Sequence, residues 1–395
     1  MRAVIKFGGA DLETPESIKK AAELTVNSGY GETAVVVSAM GKTTDMLLEL
    51  ISRTSNGARI DGKDYAEIVS MGERTSARLF SAALKSLGTN SCFIDPTHEK
   101  WPIITNSDFL NADIDVPATR ERAKRHIEPM LADTVPVICG FLGRSPDGMI
   151  TTLGRGGSDT TAVLLSNVLD ADEVVLVKKA DGIMTGDPAD IPDARPIKEL
   201  DIHELFALAK GGAKVVRPES LKYKKEPTRL RVVSFDTESL SDGGTVITGT
   251  FDADSAEVMS KVGLSAMTVV CRDMTSCLGS IFALLRESGV STLGVSTGTR
   301  SFTVFSDDVS PDVLKRVHRL ETLKAVSVKK NIGMLSIVHP DFVALPGYVS
   351  KIAGILTSKK INIIEMTTDK ATINVFIDDA HLETARSVIT DAFEI

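Results

Sequence analysis

Short runs of β-branched and apolar residues at 3–7, 34–37, 135–139, 174–177 and 230–233 recur along the first part of the chain with almost no polar position inside them. Strands that are apolar on both sides belong in the middle of a parallel sheet, where helices cover each face. Between these runs, apolar positions return every three or four residues. The stretch 15–27 opens on Pro15 after Thr14, a first-turn proline behind a capping hydroxyl, and 64–87 and 118–131 carry the same helical spacing. Alternation of this kind predicts an α/β domain over 1–245, built as three αβα layers around a mainly parallel sheet.

A boundary follows. Residues 239–249 are rich in Ser, Asp, Gly and Thr, and the small, acidic stretch 252–257 ends the linker. The pattern then restarts and runs twice. In the first copy Gly279 is expected to open a helix, Gly289-Val290 leads a strand, Phe302-Thr-Val-Phe-Ser-Asp-Asp closes another, and a helix starts at Pro311. The second copy repeats this with Gly347, Ile361-Asn-Ile-Ile, Ile373-Asn-Val-Phe-Ile-Asp-Asp and a helix from Leu382. A closing strand is visible only in the first copy, at 325–328. The order predicts two ferredoxin-like α+β units, 260–331 and 332–395, suited either to pairing through sheet edges or to sensing a small ligand.

Composition narrows the function. With 45 basic against 53 acidic residues, a net charge of -8 and no long basic run, neither a nucleic acid nor an anionic membrane is expected as a partner. No apolar run approaches the roughly 18 residues of a membrane span, and no charged leader precedes the first strand, so neither insertion nor export is expected. The cysteines at 92, 139, 271 and 277 show neither metal-ligand spacing nor disulfide density. That pattern fits a reducing, cytoplasmic setting and predicts no metal site.

Two segments carry candidate chemistry. In 140–162, Gly154, Gly156 and Gly157 allow close backbone approach, and Ser158 or Asp159 starts an apolar helix whose free amides face the turn. Arg155 and Asp159 flank that turn with opposite charges, an arrangement that suits a zwitterion such as a free amino acid or, more simply, an internal ion pair. Near the N-terminus, Val4-Ile-Lys-Phe-Gly-Gly ends a buried strand on Lys6 and follows it with Gly8 and Gly9. An ammonium beside free N–H groups makes a phosphate-sized cradle, although the lysine precedes the glycines, unlike a Walker motif. Taken alone, Lys6 also fits an ordinary snorkelling lysine.

Read together, Lys6-Phe-Gly-Gly, Ser38-Ala-Met-Gly-Lys-Thr-Thr-Asp, Gly72-Glu, Leu153-Gly-Arg-Gly-Gly-Ser-Asp-Thr-Thr-Ala, Asp181-Gly-Ile-Met-Thr-Gly-Asp-Pro and Gly212-Ala-Lys-Val-Val resemble the aspartate kinases of the amino acid kinase family. The resemblance spans nearly the whole chain, since that family carries two carboxy-terminal ACT units of the ferredoxin-like kind. It implies transfer of the γ-phosphoryl group of ATP, with Mg2+, to the side-chain carboxylate of L-aspartate. The product would be 4-phospho-L-aspartate, at the start of aspartate-derived amino-acid biosynthesis, including that of lysine and threonine. By the same resemblance Lys6, Gly8, Gly9 and Asp159 are catalytic, and Thr44, Glu73, Arg155 and Ser158 bind substrate, Glu73 through the α-ammonium and Arg155 through a carboxylate. Lys178, Lys179, Asp181, Asp187 and Lys214 line the nucleotide side. The ACT units would pair chains into a homodimer or higher homo-oligomer and bind an effector, lysine or threonine, at 273–279 and 339–347, with Asn362 nearby.

The chain departs from the family pattern at four places. Ala10-Asp11 stands where Thr-Ser is usual, Lys178-Lys-Ala-Asp-Gly replaces Thr-Asp-Val-Asp-Gly, Ala189 takes the place of an arginine after Asp187-Pro188, and Arg217-Pro218 replaces His-Pro. These changes keep two other readings open: a kinase for another small carboxylate or amino acid, and an amino-acid sensor that has lost catalysis.

Overall fold

The computed structural model describes the chain apart from residues 155, 214, 251–256, 340–341, 343–345, 370 and 394–395. It forms two compact units, Met1–Phe251 and Asp252–Ile395. The first unit is organised by an eight-stranded sheet. From edge to edge its strands are Glu199–Asp201, Thr245–Thr248, Arg229–Ser234, Glu173–Lys178, Arg2–Phe7, Glu32–Val37, Val135–Cys139 and Ser91–Ile94. Every neighbouring pair is parallel except Arg229–Ser234 with Thr245–Thr248. All the apolar runs noted above lie in this sheet, and Ala3, Val4, Ile5 and Phe7 of its central strand are fully buried.

Two helices set up the functional end of the sheet. Gly157–Val168 is buried along its whole length, as its apolar sequence requires, and starts at Gly156, whose φ of 73° only glycine adopts without strain. Gly62–Ser86 is amphipathic, is capped by Asp61 through the Lys63 N–H, and turns Glu73 to its buried face. The expected helix over 118–131 is shorter: an α-helix at Val116–Arg122 gives way to a π turn at Ala123–Ile127 and a 3-10 turn at Glu128–Met130. Pro129 lacks the N–H that would continue the ladder.

In the second unit six antiparallel strands form one sheet, ordered Thr292–Thr297, Ser301–Ser306, Glu257–Cys271, Leu323–Val338, Thr372–Asp378 and Glu365–Thr368. The two long central strands serve both repeats. Residues 266–271 pair with 323–329, whereas 257–261 pair with 334–338, and the register shifts between these zones around Gly263 and Asn331, both at positive φ. The closing strand absent from the second copy's own sequence is therefore supplied by 257–261, ahead of the first copy. Helices Met274–Glu287 and Pro311–His318 cover one apolar cluster around Val269, Phe302 and Val304, and Tyr348–Ser358 and Leu382–Ala392 cover another around Leu335, Ile337 and Val375. The helix expected to open at Gly279 begins more than a turn earlier, because Asp273 accepts the Ser276 N–H at 2.8 Å and caps it there. Among the described residues no helix is long and apolar enough to cross a membrane. All the cysteines are free thiols.

Candidate functional site

Lys6 and Lys178 end neighbouring parallel strands, so both ammonium groups emerge at the carboxyl edge of the sheet, where open α/β sheets hold ligands. The first turn of Gly157–Val168 brings Asp159 between them. Lys6 Nζ lies 2.7 Å from Asp159 Oδ1 and Lys178 Nζ 3.1 Å from Asp159 Oδ2. Lys178 also reaches Oδ1 at 3.4 Å, so the nearly buried carboxylate is shared between two cations. Burial alone would raise the Asp159 carboxyl, but Lys6 and Lys178 outweigh it and hold the group far below the ordinary carboxylate range. Burial and Lys6 push the Lys178 ammonium down, against the pull of Asp159 and Asp11.

Glycines close the turns around this cluster for steric reasons. A Cβ on Gly9 would sit 2.6 Å from the Ala39 carbonyl oxygen, and one on Gly156 would meet the Arg217 side chain at 2.5 Å. Gly8 donates its N–H to Asp11 Oδ2 at 2.9 Å.

A cavity of about 760 Å³ opens beside the cluster, and Lys6, Thr44, Glu73, Ser158 and Asp159 all line it. Glu73 is 4% exposed. Its Oε1 accepts the Ala39 N–H at 3.1 Å, while Oε2 is buried with no hydrogen-bond partner. Burial pushes its carboxyl up to about 7, against the Ala39 N–H that favours the charged form. The helix carrying Glu73 is anchored next to it: buried Asp95 accepts from Arg74 at 3.2 Å and from Arg78 at 2.6 Å. The Lys6 ammonium and the half-satisfied Glu73 carboxylate in one cavity wall suit a ligand pair of opposite local charge.

The sequence-derived residues are not all gathered here. Lys179 and Asp181 are exposed beyond the strand end, and Asp187, also exposed, spends an oxygen on the Ala189 N–H at 3.0 Å. Arg155 and Lys214 lie outside the described residues. Conversely, Ser38, Asp45, Tyr65, Asn111 and Phe141 line the cavity without having been singled out. Ser38 and Asp45 bound a motif already quoted, and their position in it was the available signal. Asn111 stands in a polar loop with no pattern to mark it. Among the described residues, no group of three or more His, Cys, Asp or Glu gathers in a way that could hold a metal ion.

Comparison with known proteins places this arrangement. The model of the amino acid kinase family matches residues 1–234. The chain is 30% identical over 412 residues to an aspartokinase of Mycolicibacterium smegmatis, spanning 99% of this chain and 95% of that protein. Its fold resembles the aspartate kinase of Synechocystis with a TM-score of 0.76 at 24% identity, over 100% of this chain and 69% of that one. It also resembles E. coli aspartokinase III, crystallised with aspartate and ADP in the R-state, with a TM-score of 0.58 at 21% identity over the full length of both chains. With sequence likeness running end to end and the first unit built on the matching fold, this chain belongs to the amino acid kinase family, among its aspartokinases.

Proposed function

We propose that this chain transfers the γ-phosphoryl group of MgATP to the side-chain carboxylate of L-aspartate, releasing ADP and 4-phospho-L-aspartate. One observation carries the reading: Lys6 and Asp159, the ion pair that Lys178 joins from the neighbouring strand, line the same cavity as Glu73, whose carboxylate is half-satisfied. The acceptor carboxylate is ionised at neutral pH and is its own nucleophile, so no general base is needed. A bond forms from its oxygen to the γ-phosphorus as the bond to the β-phosphate oxygen breaks. The protein's work is alignment and charge compensation. Lys6 and Lys178 offset charge on the phosphoryl oxygens, Asp159 holds their ammonium groups in place, and the glycine turns at Gly8, Gly9 and Gly157 let the transferring group approach the backbone closely. Glu73 takes the substrate α-ammonium, Thr44 and Ser158 complete the amino-acid pocket, and Arg155 takes a substrate carboxylate. Lys179, Asp181 and Asp187 serve the nucleotide from exposed positions after the Glu173–Lys178 strand, and Lys214 is assigned to the same ligand. Mg2+ carried by the triphosphate would supply charge neutralisation at its oxygens, beside the ammonium groups of Lys6 and Lys178.

The test is incubation with MgATP and a panel of small acids, trapping acyl phosphate with hydroxylamine while following ADP. Aspartate-dependent hydroxamate is the expected result. Hydroxamate with only another acid would move the substrate assignment to the second reading, which Asp11 favours by placing a carboxylate where the family pattern has a small hydroxyl. Amino-acid binding without turnover would leave only a sensor.

The second unit, in this reading, comprises ACT-like halves that pair chains into a homodimer or larger assembly and bind lysine or threonine. The candidate turn at 273–279 is the capped start of Met274–Glu287, and Asn362 lies shortly before the strand Glu365–Thr368. Part of the 339–347 candidate lies outside the described residues. An effector acts only if it binds the two arrangements of the enzyme unequally. If saturating lysine and threonine each left both activity and substrate affinity unchanged, pairing alone would remain.

A further inference from the structure

Asp11 is the residue that neither the family pattern nor the proposed chemistry absorbs. It sits in the turn Gly9–Leu12 directly after the Lys6 strand, 2% exposed. Its Oδ2 accepts the Gly8 N–H at 2.9 Å, while its Oδ1 is buried without any hydrogen-bond partner. A methyl placed on Gly8 would stand 3.1 Å from Asp11 Oδ2 and 3.6 Å from Lys6 Nζ, which puts the carboxylate beside the phosphoryl grip. Lys6 faces it from the first strand, Lys178 and Lys179 from the end of the neighbouring strand, and Asp159 lies beyond them, bound to Lys6 and Lys178. Burial of this carboxylate with one bare oxygen disfavours its charged form, and a single N–H and the field of those lysines oppose that.

Binding a triphosphate changes that balance. Phosphate oxygens engage Lys6 and Lys178, cancel much of their field at Asp11, and add negative charge of their own. We propose that Asp11 is a proton-coupled counter-charge to the phosphate grip, ionised while the lysines are unengaged and protonated when a nucleotide triphosphate or diphosphate holds them. The inference rests on the proposed placement of phosphate at Lys6 and Lys178. Burial already pushes the Asp11 carboxyl up, against Gly8 and the lysines, so the proton is taken up by a group already inclined to accept it. Nucleotide binding then takes up a proton, and affinity falls as pH rises, by up to about tenfold per unit for one coupled proton. A hydroxyl at this position would carry no such dependence.

The test is calorimetric titration of the full chain with MgADP in buffers of differing ionisation enthalpy, repeated from pH 6 to 8.5 and compared with Asp11→Asn. Asparagine retains an acceptor for the Gly8 N–H and lacks the titrating oxygen. Titration of Glu73 and of the nucleotide itself contributes to both proteins, whereas Lys178, which Asp11 pulls up, would take up more protons in the variant, opposite in sign to the loss of Asp11. The expected result is fewer protons taken up by Asp11→Asn, a flatter pH dependence, and tighter binding than wild type above pH 8. Equal proton uptake and equal slopes in the two proteins would overturn the inference while leaving the phosphate site intact. Failure of wild type to bind MgADP at all would instead remove the reading on which it rests. Asp11→Ser provides a second variant with the same expected outcome should the asparagine protein fail to fold.

Discussion

Lys6 Nζ stands 2.7 Å from Asp159 Oδ1, an ion pair that joins the first strand of the chain to the glycine-rich turn and helix far along the sequence. The pair is nearly buried, yet it does not close on itself, since Asp159 gives its other oxygen to Lys178. An ammonium that shares its ion-paired carboxylate with a second lysine is held in position without being neutralised, which is what stabilising a developing phosphoryl charge requires.

Replacing Lys6 with Met keeps the buried stem and deletes the charge. Turnover is expected to fall by about 10³ or more, because a donor aimed at the transition state is lost. The thermal midpoint should change little, since Lys178 still pairs with Asp159. Steady-state ADP release together with a melting curve checks both parts, and near-normal turnover in the folded variant would remove Lys6 from the chemistry.

Asp159→Asn acts on both lysines at once. Lys178 loses a partner that raises its pKa, so burial and Lys6 would drive its ammonium further down. Nucleotide affinity in this variant is expected to decay with rising pH sooner than in wild type. The stability effect has the opposite pH dependence. A carboxyl held far below its unfolded value contributes stability above that value, about 3.9 for an aspartate, and loses it as pH falls through the folded pKa. The deficit of Asp159→Asn relative to wild type should therefore be present at pH 7 and shrink only in strong acid, which denaturant melts at several pH values would show.

The sheet and the glycine turns were legible in the sequence because local pattern fixes them: continuous β-branched runs leave little choice but a buried parallel strand, and glycines between a strand and a helix mark close approach. Ser91–Ile94 and the hairpin strands Leu142–Arg144 and Ile150–Thr152 escaped, being too short to show a period. The missing last strand of the second repeat escaped for a topological reason, since pairing of 257–261 with 334–338 is a relation between distant segments that no local window contains. At the site, Lys6 and Asp159 were readable as motifs. The free oxygens of Glu73 and Asp11 were not, because an unsatisfied buried atom is a property of the packed surroundings.

Gly156→Ala tests the turn. The φ of 73° costs an alanine roughly 1–2 kcal/mol, and its Cβ would also collide with the Arg217 side chain at 2.5 Å. Arg217 is free to move only in part: its Nε stands 3.4 Å from Glu219 Oε2 without a hydrogen-bonding alignment. The double variant Gly156→Ala with Arg217→Ala should recover the steric share of the loss and leave the backbone share. A double-mutant cycle on unfolding free energy reads the difference, and strict additivity would show that the contact is without consequence.

Glu73 combines a functional and a stability consequence in one group. Its carboxyl is pushed up to about 7 by burial, with Oε2 buried and unpartnered on a residue that lines the same cavity as Thr44 and Ser158. If that oxygen receives the substrate ammonium, the KM for aspartate should fall as pH rises through about 7 and the carboxylate forms. Glu73→Gln should abolish this dependence and raise KM at pH 8 by about tenfold to a hundredfold, the range for losing one charge-assisted hydrogen bond. Stability runs the other way. Because the folded pKa exceeds the unfolded one, the protonated form favours folding, and that advantage disappears as pH rises through about 7, a cost on the order of 3 kcal/mol in the ligand-free protein. Glutamine avoids the cost, so the variant should be more stable than wild type at pH 8 and little different at pH 4. A variant that binds aspartate worse yet melts higher at alkaline pH would mark Glu73 as a site kept under strain for its ligand, whereas unchanged KM and unchanged melting would remove it from both roles.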